Sequence, residues 1–218
     1  MSWHWLVAPG SAIYLIPLTL FAGLALLARA RDARRPVLTW WGAVAGACVL
    51  AAASKISFYG WGTGIRSWNL TCLSGHTVMA FATWPVLGML LVPPRCEPYR
   101  AAGFLAGVVM ASLIAYSRIP LGAHPPSEVI AGAMVGAPAG AFGAWALRSQ
   151  ALPASFSALW LLIALMGALF PRTLAPKLPT ERWLASVAVA LSGRDEPVTR
   201  KRWNRVTEIT ISRDLHLR

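Results

Sequence analysis

Two histidines and an isolated carboxylate are the residues of this chain whose types and spacing best suit chemistry. His124 and Glu128 are four residues apart, so they share one face if the segment is helical. Pro125 keeps His124 out of the helical region, whereas Pro125 and Pro126 are tolerated in a first helical turn. We therefore expect the imidazole at a helix N-terminus, where free backbone N–H groups attract anions. This combination is typical of phosphoryl transfer.

His124 is the candidate nucleophile of such a reaction. A neutral imidazole can attack phosphorus and carry it as phosphohistidine, which divides one difficult displacement into two easier ones. Its second ring nitrogen must keep a proton and a fixed orientation, and Glu128 on the next turn can supply both. The structural alternative is an interfacial histidine with a helix-capping glutamate. Glu128 is the only acidic residue from Ala101 to Gln150, and a carboxylate at a membrane helix end is costly enough to favour function.

His76 is the candidate general acid and base. It follows Ser74 and Gly75 and comes just before the apolar run 77–92, which repeats the arrangement around His124. In this role it would protonate the leaving oxygen and later activate water. The alternative is a surface histidine next to a helix cap, and Ser-Gly-His alone is a weak signal.

Five further residues are predicted to bind the phosphate. A transferring phosphoryl group needs several fixed donors on its equatorial oxygens, and arginine offers two parallel ones. Serine can add a hydroxyl, and glycine lets the main chain approach closely. For the basic residues at span ends, the alternative is snorkelling to the lipid headgroups. The predicted ligands are Lys55, Arg66, Ser74, Gly75 and Arg118.

The composition indicates the kind of protein that positions these residues. Of 218 residues, 56% are hydrophobic and only 13% are charged, whereas soluble domains carry about 25% charged residues. The mean hydropathy is +0.55. The net charge of +12 lies mainly between apolar runs and in the tail, so anionic lipid headgroups are expected as partners and nucleic acid is not. Cys48, Cys72 and Cys96 show no metal-binding spacing and are expected to be small buried residues.

The apolar runs predict an all-α polytopic membrane protein, a six-helix transmembrane bundle over residues 1–170. The spans are expected at 11–28, 40–54, 77–92, 101–116, 128–147 and 153–170. Seven arginines fall in the three loops that this order makes cytoplasmic, and the histidine-bearing loops 55–76 and 117–124 fall on the opposite side. The catalytic motifs, within 55–128, would then face outward, and a bacterial inner membrane with the site facing the periplasm is expected.

The remaining residues, 171–218, are predicted to form a basic amphipathic tail. Six spans would leave this tail outside, although its Arg200, Lys201 and Arg202 are more typical of a cytoplasmic segment. The stretch 181–191 carries an apolar stripe and is expected to lie flat on the membrane. Gly132, Gly136 and Gly140 are expected to let helices pack closely.

These motifs resemble those of the type 2 phosphatidic-acid phosphatase family, whose catalytic fold is shared with the vanadium haloperoxidases. The third motif of the family is Ser-Arg-x5-His-x3-Asp, and Ser117, Arg118 and His124 match its spacing, with Glu128 in place of aspartate. The second is Pro-Ser-Gly-His, which appears here as Leu73 to His76. The first is a lysine followed at a distance by Arg-Pro.

Lys55 fits the first motif, but Arg66 is followed by serine rather than proline. The resemblance covers about residues 40–150. It implies that His124 is the nucleophile and His76 the acid and base, and that the phosphate pocket contains Lys55, Ser74, Gly75 and Arg118, together with Arg66 where that motif is relaxed.

The expected function is that of a membrane phosphatase that hydrolyses a lipid phosphate or lipid diphosphate without metal or cofactor. Arginine and lysine supply the charge stabilisation, and the motifs hold no carboxylate cluster for a metal. Lipid phosphotransfer on the same fold is an alternative. So are a transporter with a proton relay of histidine and glutamate and a non-catalytic scaffold that retains the pocket. The sequence gives no indication of the oligomeric state.

Overall fold

A computed structural model describes residues 3–29, 31–152 and 180–204, and in these residues all regular elements are helices. The five long helices of the first two segments run alternately up and down. The helices are α1 (Ala12–Arg29), α2 (Arg34–Trp61), α3 (Gly75–Leu90), α4 (Glu97–Ser117), α5 (Pro126–Ala146) and α6 (Thr180–Ser192). The ends of α2 and α4 and the starts of α3 and α5 meet at one end of the bundle, called here the histidine end.

The central element is α3, which packs against α1, α2, α4 and α5. Eleven of its 16 residues are buried, so its sides are covered by neighbours all round rather than along one stripe. A helix that is apolar all round is stable only when it is enclosed in this way. The start of α3, which carries His76, is thereby fixed with respect to the start of α5.

The glycines of α5 set the distance between α5 and α3, as predicted. A Cβ at Gly136 would lie 2.5 Å from the carbonyl oxygen of Val78, and one at Gly140 would lie 2.2 Å from that of Phe81. Only a residue without a side chain permits this approach. The packing role predicted for this face is therefore confirmed.

Four helices, α1, α2, α4 and α5, are long and apolar enough to cross a membrane. The third predicted span corresponds to α3, which is shorter, and the sixth, 153–170, lies outside the described residues. The all-helical membrane fold is thus supported, and the number of six spans stays a prediction.

Two predicted boundaries are wrong. The second span does not end at Ser54, because α2 continues through apolar and aromatic residues until Gly62 ends it with a φ of 69°. Lys55 consequently lies in α2 and not in a loop. The turn left between the predicted spans 77–92 and 101–116 is also shorter than expected, because α4 begins at Glu97.

Arg100, predicted in that turn, lies in the first turn of α4 and is buried. Its Nη1 donates to the carbonyl oxygens of Val92, at 2.7 Å, and Gln150, at 3.0 Å. This arginine therefore ties three chain segments together at the end opposite the histidines.

The described part of the tail, 180–204, folds back onto the histidine end. Helix α6 packs on the end of α2, where the Ala188 carbonyl lies 3.2 Å from a Cβ built at Gly60. Most of the predicted apolar stripe, including Trp183, Val187 and Leu191, stays exposed on the other side of α6. Its contact with a membrane surface stays a prediction.

Candidate active site

The conformation of His124 follows from the prolines after it. Pro125 has an extended backbone (φ −69°, ψ 161°) and caps α5, which begins at Pro126. The His124 backbone N–H donates to the carbonyl oxygen of Arg118 at 3.3 Å, which holds the loop after α4 against the start of α5. The imidazole is thus placed beside a helix N-terminus, as the sequence predicted.

The His124 ring is bound to Glu128 across one helical turn. Nδ1 lies 2.6 Å from Glu128 Oε2, and the Glu128 side chain is completely buried. A charged carboxylate accepts a hydrogen bond from Nδ1–H, and this keeps the proton on Nδ1 and the lone pair on Nε2. The predicted contact between His124 and Glu128 is present in the structure, and the role of His124 as nucleophile stays a prediction.

The other carboxylate oxygen, Glu128 Oε1, is held by groups that sequence reasoning missed. The backbone N–H groups of Thr71 and Cys72 donate to it at 3.0 and 3.2 Å, and the Thr71 hydroxyl donates to it as well. Backbone donors do not depend on residue type, so no residue pattern could reveal them. Proximity to Ser74 in sequence was the only available signal.

His76 lies in the first turn of α3, at the same end of the bundle as His124. The Ser74 backbone N–H donates to the Glu128 carbonyl oxygen at 3.2 Å, which joins the two histidine-bearing segments directly. Lys55, Arg118 and His124 all lie within electrostatic range of the His76 ring. Both histidines are therefore brought to one site.

Ser74 is the N-cap residue of α3, and Gly75 is the first residue of the helix. The Ser74 side chain is buried, and its hydroxyl accepts a hydrogen bond from Thr77 Oγ1 at 3.0 Å. At Gly75, in contrast, a Cβ would meet no heavy atom of the described residues within 4 Å. The first backbone N–H groups of a helix have no partner within the helix. The space beside Gly75 is thus bordered by donors suited to an anion.

Arg118 has a buried donor without a partner. Among the residues that the structure describes, no acceptor lies within hydrogen-bonding distance of its Nε. Burial lowers the pKa of Arg118 from its ordinary value, because the charged guanidinium loses hydration. A buried donor of this kind costs free energy until an acceptor arrives. An acceptor placed at Nε would remove this cost, and the role of Arg118 as a phosphate ligand stays a prediction.

Lys55 is buried, and its ammonium is paired with Glu181 at the start of α6. The Tyr59 hydroxyl donates to the other oxygen of Glu181 at 2.5 Å. Burial would raise the pKa of Glu181, but the Lys55 charge and the hydrogen bonds from Lys55 and Tyr59 hold it below its usual value. Glu181 was not singled out from the sequence, because its partners precede it by more than 120 residues.

Arg66 is exposed, and the contacts described for it lead to the tail. Its Nη1 donates to the Trp203 carbonyl oxygen at 3.0 Å, and its guanidinium lies 4.9 Å from the centre of the Trp203 ring. Its predicted role as a phosphate ligand stays a prediction.

Arg200 is a second tail residue in the site that the sequence did not predict. Its Nη2 donates to Glu128 Oε1 at 2.6 Å and to Thr71 Oγ1 at 3.0 Å. The run of basic residues around it indicated a charged tail and nothing more specific.

Cys72, His124 and Glu128 each have a possible metal ligand atom, and these atoms lie within 4.8 Å of one another. A metal takes the thiolate, but burial and the nearby Glu128 charge raise the pKa of Cys72, which favours the thiol. Both oxygens of Glu128 are also engaged in hydrogen bonds. The donor set as arranged does not fit a metal, and it suits proton and anion chemistry.

Comparison with known proteins agrees with this geometry. The model of the PAP2 superfamily matches residues 58–152, which include both histidines, Arg118 and Glu128. An "Uncharacterized 22.5 kDa protein in cps region" of Klebsiella pneumoniae is 32% identical over 203 residues, which is 92% of this chain and 96% of that protein. No solved structure matches. The chain belongs to the PAP2 superfamily, whose members are phosphatases associated with membranes.

Proposed function

We propose that this chain is an integral membrane phosphatase that removes phosphate from a lipid phosphate or diphosphate through a phosphohistidine intermediate. The observation that carries the proposal is the 2.6 Å contact between His124 Nδ1 and Glu128 Oε2, next to an Arg118 whose buried Nε has no partner in the described residues. The His124–Glu128 pair supplies a nucleophilic nitrogen, and Arg118 supplies a hydrogen-bond donor for an oxyanion.

In the first step, the lone pair of His124 Nε2 forms a bond to phosphorus, and the bond from phosphorus to the leaving oxygen breaks. A protonated His76 gives its proton to that oxygen. Substrate phosphate brings negative charge among Lys55, Arg118 and His76, so the substrate itself favours the proton on His76. Arg118 and the backbone N–H groups at the start of α3 would hold the equatorial oxygens.

In the second step, His76 is neutral and accepts a proton from water while the water oxygen attacks phosphorus. The bond between phosphorus and Nε2 breaks, and inorganic phosphate leaves. His124 and a protonated His76 are thereby restored, so the cycle requires no metal or cofactor.

The surroundings of the site support a lipid substrate. Large apolar side chains are exposed on the outer faces of the helices, where a bilayer would cover them. They include Leu20, Phe21, Leu24, Val49, Leu50, Leu105, Val109, Ile130, Met134, Phe142 and Trp145. The histidine end terminates these faces, so the reacting groups would lie near the headgroups. We propose that this end faces the periplasm of a bacterium.

The test uses the purified protein in detergent and in lipid vesicles. Phosphatidic acid, phosphatidylglycerol phosphate, a polyprenyl diphosphate and lipid A are offered, and phosphate release is measured. We expect release from at least one lipid and none from His124→Ala. Labelling quenched in alkaline detergent, in which the bond between phosphorus and the histidine nitrogen survives, should trap a phosphorylated wild-type protein and no phosphorylated His124→Ala protein. Solute or proton flux that survives His124→Ala, with no phosphate release from any lipid, would favour a transporter.

A further inference from the structure

The two carboxylate oxygens of Glu128 have different partners, and only one of these partners, His124, belongs to the same sequence motif as Glu128. Oε2 contacts the imidazole, whereas Oε1 accepts a hydrogen bond from Arg200 at 2.6 Å. Arg200 lies 72 residues further along the chain, in the tail. Among the described residues, Glu128 thus has two ionic partners, His124 and Arg200. Arg200 lies outside residues 58–152, which the family model matches.

Contacts on both sides of Arg200 in sequence fix the tail at this point. The Val198 backbone N–H donates to the Tyr59 carbonyl oxygen at 2.8 Å. The Trp203 side chain is buried against Phe58, and its Nε1 donates to the Gly62 carbonyl oxygen at 3.0 Å. These contacts lie on α2 and just after it. The contacts of Val198 and Trp203 thus position the Arg200 guanidinium independently of its ion pair with Glu128.

A buried carboxylate is costly without a cation, and a neutral His124 supplies none. Arg200 supplies this charge whatever the protonation state of the ring. It also weakens the attraction of Glu128 for a second ring proton, because the carboxylate charge is already compensated. The expected consequence is a His124 ring that keeps its Nδ1 proton and leaves Nε2 free.

We propose that Arg200 is a positioning residue that aligns Glu128 on His124 and keeps the imidazole in its nucleophilic form, a role that rests on the proposed phosphatase function. The tail is then part of the active site, and the catalytic unit extends at least to residue 204.

Other charged and titratable groups lie around the two histidines and must be kept constant in a test. They are His76 of α3, Cys72, Glu128 of α5, Arg118 after α4, and Glu181 of α6, with Lys55 of α2 paired to the last. None of them is changed by substitutions at position 200.

The first experiment compares Arg200→Gln with Arg200→Lys and with Arg202→Gln, which neutralises an exposed arginine two residues away. For Arg200→Gln we expect kcat to fall about 10- to 100-fold with little change in KM. The acidic limb of the pH profile should move to higher pH. Arg200→Lys keeps the charge and should keep the acidic limb, and Arg202→Gln should match the wild type.

The second experiment does not depend on turnover. Histidine ring signals are followed by NMR in protein labelled at histidine, and the His124 signal is identified by its loss in His124→Gln. The pH at which this signal titrates should move up in Arg200→Gln, where the Glu128 charge is no longer compensated, and stay in place in Arg202→Gln. An unmoved titration overturns the role of Arg200, even in a protein without phosphatase activity.

Absence of phosphate release from the wild type would contradict the phosphatase function alone, because the ring titration still reports on Arg200. Arg200→Met, which removes the charge but keeps an unbranched side chain, serves if Arg200→Gln fails to fold. A His124 titration that moves up in this variant supports the proposal, and an unmoved one contradicts it.

Discussion

Lys55 and Glu181 form an ion pair across 126 residues of sequence, and the pair lies at the end of α2 beside the two histidines. The tail thus brings an anion to one predicted phosphate ligand, whereas the Nε of another, Arg118, has no acceptor among the described residues. A substrate phosphate that uses Lys55 must therefore compete with the Glu181 carboxylate.

Replacing Glu181 by glutamine should strengthen phosphate binding. The amide keeps the shape of the side chain but removes the charge that competes for Lys55. Because Glu181 is exposed and its pair is screened by water, we expect the inhibition constant of inorganic phosphate to fall by only about 2- to 5-fold. Glu196→Gln, which removes an exposed carboxylate in the same segment, is the control. Equal phosphate affinity in wild type and Glu181→Gln contradicts the competition.

The competition should also depend on pH in a defined direction. Partial desolvation raises the pKa of Glu181, but the Lys55 charge and the two hydrogen bonds outweigh it and depress that pKa, so the carboxylate stays charged below the ordinary value of 4.5. A group with a depressed pKa loses its ion pair only as the pH falls through that lowered value. The ratio of phosphate affinities between wild type and Glu181→Gln should therefore stay constant down to about pH 4.5 and approach one only at lower pH. A ratio of phosphate affinities that already equals one at neutral pH would contradict this prediction.

Glu128→Gln should lower kcat strongly, by about 100-fold or more. The amide cannot balance the charge that develops on the His124 ring, and it leaves Arg200 without its anionic partner. Thermal unfolding in detergent should also begin at a lower temperature, since the group is fully buried. Glu97→Gln, an exposed acid at the opposite end of the bundle, is the control for both measurements. A fully active Glu128→Gln protein excludes the orienting role.

The parts of this site that the sequence predicted are those encoded locally. The relation of His124 to Glu128 follows from a spacing of four residues and from the prolines between them. The close packing of α5 follows from glycines on one face. Each of these features lies within a few turns of helix, so chain geometry alone determines it.

The parts that were missed depend on contacts between distant segments. Arg200 and Glu181 reach partners 72 and 126 residues earlier, and nothing in their own neighbourhood marks them. Thr71 contributes its backbone N–H, which any residue except proline has. Whether Lys55 lies in a helix depends on where α2 ends. The helix ends at Gly62, but other glycines of this segment could have ended it equally well, so the sequence did not identify the boundary.

Vanadate should inhibit the enzyme and chelators should not. Vanadate adopts the five-coordinate geometry of phosphorus during transfer, so the groups that stabilise the transition state should bind it. The expected result is competitive inhibition by vanadate that is weakened in Arg118→Gln, with unchanged activity after dialysis against EDTA. Loss of activity in EDTA that zinc or magnesium restores would instead indicate a metal, with Cys72, His124 and Glu128 as the first residues to test.

Alanine substitutions at Gly136 and Gly46 should distinguish the effect of helix packing on stability from the effect of helix propensity. In α5, a Cβ at Gly136 would lie 2.5 Å from the Val78 carbonyl oxygen, whereas one at Gly46 in α2 meets nothing within 4 Å in the described residues. Gly136→Ala should therefore force α3 and α5 apart and destabilise the fold by about 1–3 kcal/mol. Gly46→Ala should be neutral or stabilising by up to about 1 kcal/mol, since alanine favours helix. Because α3 carries His76 and α5 follows His124, the first change should also lower kcat, and the second should not. Equal unfolding temperatures and equal kcat for the two variants would mean that this spacing does not hold the two histidines in register.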